Sequence, residues 1–187
     1  MASHGYERAT VQLVASAADL APGLVHYHFA NKQEILLELV DTLVAGLRVR
    51  KEARLASAGD MPRARLDAYL DALLALGPDA DPEAAACWAL VGAAAVRQPE
   101  VRSAYEGWLV QLRAEVTVLL RDACRDEGRS TRGTTAMAAA LVALVEGYFR
   151  VAVGAPSVVP DGSAARMARR LAAGLLDSQP PKKGRKR

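Results

Sequence analysis

The side chains in this chain best equipped for chemistry are few and scattered: three histidines, two cysteines and 21 carboxylates among 187 residues. His26 and His28 stand two apart in a segment that reads as helix, so they diverge by roughly 200° and cannot hold one metal ion. Nucleic-acid contact or packing suits them better. Cys87 and Cys124 lie 37 positions apart with neither a CxxC spacing nor a histidine partner, and read as free thiols. No paired carboxylates, nucleophile elbow, metal cluster or phosphate-binding loop appears. The chain is therefore read as no enzyme, with no cofactor and no metal.

The elements that must position the remaining polar groups are helices. Alanine supplies about a fifth of the residues, strand-like alternation is missing, and apolar residues recur at three and four. The fold class is all-α. Breakers at Asp19, Pro22-Gly23, Ala58 to Pro62, Gly77 to Pro82, Pro99, Gly128 to Gly133 and Gly154 to Gly162 divide the chain. Between them the pattern predicts helices at about 10–18, 21–29, 32–56, 63–76, 83–97, 99–127, 132–153 and 163–177. Asp81 and Asp161 are expected to cap the helices that follow them. Residues 178–187 form a Pro- and Lys-rich tail with nothing to bury, expected to be disordered.

Within residues 10–32, TVQLVASAADLAPGLVHYHFANK, two short helices flank a tight turn. Val14, Ala15 and Ala18 on the first are placed to pack against Leu20 and Val25 on the second, with Ala15 small enough for close approach. Asp19 falls where a left-handed residue is needed, a conformation Asp tolerates better than most. Phe29 reads as core. This is a helix-turn-helix pattern.

The same segment resembles the TetR family of bacterial transcriptional regulators. The resemblance rests on Thr10, Val14, Ala15, Ala18, Leu20, Gly23, Val25, His28, Phe29, Asn31, Lys32 and Ile35-Leu36, all in register. Further on, Cys87-Trp88-Ala89, RQPEVRSAYEGW at 97–108 and LVALVEGYF at 141–149 resemble a BetI-type C-terminal regulatory domain. The resemblance implies an N-terminal DNA-binding domain over 1–50, with the motif at about 10–29, and a helical ligand-binding and dimerisation domain over 51–177. It implies that the second helix of the motif enters the major groove with Pro22, Gly23 and Leu24 nearest the bases, and that Gln12 pairs with a base. Thr10, His26, Tyr27, His28 and Lys32 then fall at positions that grip phosphates.

Three departures from the family pattern stand out. Asp19 replaces the usual turn Gly, Ala21 the usual Ser or Thr at the start of the second helix, and His26 a frequent Tyr. The family also packs a first helix across the other two, whereas nine residues precede Thr10. The full protein is accordingly expected to begin upstream, with a basic first helix.

In the larger module, Met137, Leu141, Leu144, Tyr148 and Val151 recur in a heptad-like stripe, and Leu171 and Leu175 continue it on the last helix. By resemblance these helices pair across a twofold axis into a homodimer, the symmetry a palindromic operator in double-stranded DNA requires. Trp88, Tyr105, Trp108, Tyr148 and Phe149, with Gln111 as a polar group, are candidates to line a cavity for a lipophilic small-molecule effector. The function implied is a ligand-responsive dimeric repressor. The alternative is a truncated ligand-binding or protein-interaction dimer with impaired DNA binding.

Charge does not by itself argue for DNA. The net +3 resolves into +5 on residues 178–187 and −2 on the rest, and residues 1–55 hold six basic and six acidic side chains. The longest uninterrupted apolar run, Ala84 to Val96, has 13 residues, short of the roughly 20 that cross a bilayer. With no export signal legible, the expected location is the cytoplasm, without a membrane partner.

Overall fold

The computed structural model describes residues 11–74 and 82–182. Eight α-helices run through them: α1 (Val11–Ala17), α2 (Pro22–His28), α3 (Lys32–Ser57), α4 (Pro62–Leu73), α5 (Pro82–Ala95), α6 (Pro99–Asp126), α7 (Thr134–Gly154) and α8 (Ser163–Asp177), with a 3-10 turn at Pro156–Val158. Proline opens four of the α-helices, where its missing N–H is no loss and its fixed φ is already helical. No strand forms among the described residues, which hold a single isolated bridge between Arg129 and Pro181.

The chain divides into two compact units that interleave in sequence. The first takes residues 1–46 and 81–108, the second 47–80 and 109–187. The division expected near residue 50 has its nearest counterpart at Gly46–Leu47, inside α3, but the first unit also takes in α5 and the start of α6.

The first unit buries Ala15, Val25, Leu36 and Val40, and, from α5 and α6, Trp88, Val91, Val101 and Trp108. Arg102 ties α6 to the end of α5 by donating to the carbonyls of Ala95 (3.0 Å) and Val96 (2.7 Å), two acceptors that α5 leaves unpaired. In the second unit α8 packs against α4 and α7. Its contact stripe, Ala164, Ala168, Ala172 and Leu176, recurs every four residues and is completely buried. Arg169 to Asp71 (2.6 Å) and Arg63 to Asp177 (2.9 Å) pin α8 to α4 at two heights.

Four sequence expectations are corrected. The residue before α8 is Gly162, at φ +65° with no side-chain cap, so Asp161 does not cap that helix; Asp81 lies outside the described residues. Helix α4 stops at Leu73, not near 76, with Leu74 as its C-terminal cap. Ala18 and Leu20 are exposed and Phe29 only half-buried, so the close packing between α1 and α2 rests on Ala15 and Val25.

The largest correction concerns the tail. Residues 178–182 lie antiparallel to the α6–α7 loop, with Ser130 N donating to Pro180 O and Lys182 N to Gly128 O, both at 2.8 Å. Arg129 fastens the same segment, donating to the carbonyls of Asp177 (2.7 Å) and Gln179 (3.2 Å). Residues 178–182, with nothing apolar to bury, are thus held by backbone hydrogen bonds, which composition does not encode; residues 183–187 of the expected tail lie outside the described residues.

Candidate nucleic-acid interface and regulatory residues

The candidate DNA-reading surface is built on a short hairpin of helices. Helix α1 ends in a turn in which Ala18 N and Leu20 N both donate to the carbonyl of Ala15, and Asp19 sits at φ +56°. The left-handed residue expected at Asp19 is present. Ala21 begins α2 with extended geometry and no side-chain cap, and Pro22 and Gly23 follow in its first turn. The end of α2 is closed by Phe29 N donating to Val25 O at 2.9 Å.

The next helix is capped more thoroughly than the sequence reading anticipated. Asn31 Oδ1 accepts from the N–H groups of Gln33 (2.9 Å) and Glu34 (3.0 Å), while Glu34 Oε2 accepts from Ala30 N (2.8 Å). This is a variant of the reciprocal capping box, and the Asn-x-x-Glu spacing at 31–34 was its signal. It fixes the backbone that carries Lys32. Gln33 Nε2 also reaches Glu100 Oε2 at 2.9 Å, joining α3 to α6 within the first unit.

With that frame fixed, Gln12, Pro22, Gly23, Leu24, His26, Tyr27 and His28 are all exposed, and Lys32 is half-exposed. Thr10 lies outside the described residues. Tyr27, at 83% exposure, is the extreme case, an aromatic ring that meets the ring of His28 edge-on. Folding spends Ala15 and Val25 from this segment and leaves Gln12, Leu24, His26, Tyr27 and His28 at the surface. No group of three or more His, Cys, Asp or Glu side chains among the described residues is placed to hold a metal ion.

The candidate effector residues fall into two sets. Trp88, Tyr105 and Trp108 gather in the first unit, with ring centroids 5.3 Å (Trp88 to Tyr105) and 6.4 Å (Trp88 to Trp108) apart. Gln111, Tyr148 and Phe149 belong to the second unit. There Gln111 is exposed and engaged, its Nε2 donating to Glu115 Oε1 at 2.9 Å. Of the two cysteines, Cys87 is half-buried and Cys124 buried.

Glu115 is the centre of a polar cluster that sequence reasoning missed. Lys51 Nζ, on the second-unit part of α3, meets Glu115 Oε2 at 2.6 Å, and the Tyr69 hydroxyl donates to the same oxygen at 2.6 Å. Lys51 Nζ also reaches Tyr69 Oη at 3.4 Å and lies 5.1 Å from its ring centroid. Burial pushes the Glu115 carboxyl up, but the hydrogen bonds from Lys51, Tyr69 and Gln111 outweigh it and hold the carboxyl below its ordinary range. The Tyr69 hydroxyl is driven far above its ordinary value by burial, and further by its bond to Glu115.

Of the candidate dimer residues, Met137 and Leu141 are 7% and 2% exposed: they face the core of their own protomer and are removed from the interface set. Leu144, Tyr148 and Leu175 are half-buried, and Val151 and Leu171 are exposed at 37% and 52%. Helix α7 is also long and apolar enough to cross a membrane by length and composition, although only 28% of its most apolar window is buried. Glu146 and Arg150 interrupt its apolar run.

Described residues that form helices throughout, with a helix-turn-helix in α1 and α2 followed by longer helices, fit the class of DNA-binding transcriptional regulators. Residues 1–39 match the family model for bacterial regulatory proteins of the tetR family, and residues 62–177 that for the C-terminal domain of BetI-type transcriptional repressors. The chain belongs to the TetR family of transcriptional regulators, with a BetI-type C-terminal domain, and this is a family of regulators, not enzymes. It is 30% identical over 130 residues to the HTH-type transcriptional regulator BetI of Rhizobium meliloti (strain 1021), a match covering 68% of this chain and 63% of that regulator's length. A transcriptional regulator from Rhodococcus sp. Rha1 superposes with a TM-score of 0.78 at 27% identity, over 95% of this chain and 90% of that one. One from Saccharomonospora viridis, solved in complex with choline, gives 0.71 at 20% identity over 95% and 89%, a likeness of fold.

Proposed function

We propose that the protein is a dimeric, ligand-responsive repressor that binds a palindromic operator through α1 and α2. The observation that carries the reading is the unspent surface of that hairpin: Gln12, Leu24, His26, Tyr27 and His28 are exposed on a frame fixed by Asp19, Val25 and the Asn31–Glu34 cap. Gln12 and the start of α2 read base edges, and His26, Tyr27, His28 and Lys32 contact phosphates. Its place of action is the cytoplasm.

The exposed face of α7, with Leu171 of α8, pairs with its copy, which explains why so apolar a helix is left largely uncovered within one protomer. Release from DNA follows when an effector favours a dimer whose two recognition helices no longer match half-sites about 34–36 Å apart. The effector is assigned to the aromatic group Trp88, Tyr105 and Trp108 of the first unit. Because the Saccharomonospora relative was solved with choline, a quaternary ammonium, which aromatic faces attract, is the first effector to test.

The experiment is a gel shift on the DNA flanking the protein's own gene, with and without choline and its neutral isostere 3,3-dimethylbutanol. Replacing Lys32 or His26 should weaken binding uniformly across sequences, and replacing Gln12 or Leu24 should alter sequence preference. Unchanged binding in all four variants would refute the contact assignment. Release by the neutral isostere and not by choline would favour a lipophilic effector over a cationic one.

A further inference from the structure

The docked C-terminal segment forms one wall of a cavity of about 470 Å³ in the second unit, whose opposite wall is the end of α6 and the loop after it. Arg125, Arg129, Arg132 and Lys182 line it together with Ser130 and Thr131, and no carboxylate lines it. The cations differ in how far they are already neutralised. Arg129 is held by Glu127 (3.0 Å) and Asp177 (3.5 Å), and Arg125 by Asp122 (2.9 Å). Among the described residues, no side-chain partner is found for the Arg132 guanidinium or the Lys182 ammonium. Ser130 Oγ accepts from Arg132 N at 3.2 Å, which leaves its own O–H to donate.

The walls of this cavity are fixed before any ligand arrives. Two backbone hydrogen bonds of 2.8 Å and the carbonyl contacts of Arg129 hold the segment in place, and the Gln179 amide, in the orientation its surroundings require, donates to Arg132 O (2.9 Å) and Ser130 O (3.2 Å). With Arg125 and Arg129 already paired to carboxylates, Arg132 and Lys182 leave the concavity a net positive charge that an anion offsets, and guanidinium and ammonium groups beside hydroxyls suit phosphoryl oxygens. The volume lies within the range of small-molecule sites and far exceeds a single phosphate ion, and Pro180 and Pro181 add apolar surface.

We propose that this cavity binds a small organic polyphosphate of nucleotide size. The phosphoryl groups lie between Arg132, Lys182 and the Ser130 hydroxyl, and the organic part rests on the proline rings. The site shares no residue with the helix-turn-helix or with the aromatic group, so it gives the regulator a second input. Its occupant would bridge the α6–α7 loop and the C-terminal segment and hold the two together.

Calorimetric titration of the full chain at low salt, with adenosine triphosphate, inorganic tripolyphosphate and adenosine as probes, tests this. Expected are saturable binding of both polyphosphates at one per protomer, none of adenosine, and about tenfold weaker binding to the Arg132→Ala/Lys182→Ala variant, with its melting temperature unchanged. Should that variant not fold, Ser130→Ala and Arg132→Gln, each alone, are expected to weaken binding about threefold. Absence of saturable polyphosphate binding to the unmodified protein overturns the proposal, as does equal binding by the variants. So does a random DNA duplex that binds through Arg132 and Lys182 where the polyphosphates do not, because the occupant is then a nucleic-acid backbone.

Discussion

Asp19 and Glu115 show how single residues set the local frame. Asp19 at φ +56° occupies a region that a β-branched side chain enters at a cost of about 1–2 kcal/mol. Asp19→Val should therefore destabilise the protein by that amount, and Asp19→Gly should be neutral or mildly stabilising; a denaturation midpoint that Asp19→Val leaves unmoved would sink the conformational argument. Glu115 compensates the ammonium of Lys51, which is 5% exposed. Glu115→Ala removes the carboxylate from beside that buried cation, at a cost of about 2–3 kcal/mol because the carboxylate side is a third exposed. Adding Lys51→Met should recover much of the loss, and an additive double-mutant cycle would show that the two do not couple. The pH dependence follows from the depressed Glu115 carboxyl. Its contribution is present above the ordinary carboxylate pKa and is lost as the pH falls through the lower folded value. Glu115→Gln should thus flatten the acid limb of the stability curve, and an unchanged limb would assign acid unfolding to other carboxylates.

At the scale of elements, what was legible in the sequence is what breakers and period encode. Pro22-Gly23, Pro62, Pro82, Pro99 and the glycine runs placed nearly every helix end to within a residue or two, because proline and glycine act locally. The left-handed turn at Asp19 was legible for the same reason. The candidate site was legible as a list of residues but not as a fixed frame: the Asn31–Glu34 cap had a local signal in its Asn-x-x-Glu spacing, whereas the Lys51–Glu115–Tyr69 cluster and the docked 178–182 segment depend on groups up to 64 positions apart or on backbone atoms. Tertiary packing also redistributed the stripe on α7, taking Met137 and Leu141 inward and leaving Val151 outward. Two cap substitutions probe the frame with opposite signs. Ala21→Ser supplies the hydroxyl that α2 lacks and should stabilise by about 1 kcal/mol, while Asn31→Ala removes two accepted hydrogen bonds and should cost about as much. Thermal unfolding of the full chain reads both, and equal midpoints for the two variants would mean that neither cap contributes to folding.

On the scale of the whole molecule, the reading as a regulator requires two copies, since one hairpin of short helices meets one half-site. Helix α7 presents Ala140, Ala143, Gly147 and Val151 outward, and α8 presents Leu171 beside exposed Gly174. Small residues on both surfaces allow backbones to approach closely, and burying Val151 and Leu171 in two copies contributes about 1.5–3 kcal/mol for each fully covered side chain. A carboxylate at both positions would be desolvated against its own symmetry mate, so Val151→Glu with Leu171→Glu should convert a dimer to a monomer by light scattering at micromolar concentration. Neither residue belongs to the buried stripes, so each protomer should keep its helical content. Operator affinity should then fall steeply, because two half-sites would be filled independently where one rigid dimer had filled both. A double variant that remains a dimer, with operator binding intact, would place the twofold axis on another face and leave the apolar surface of α7 to a different partner.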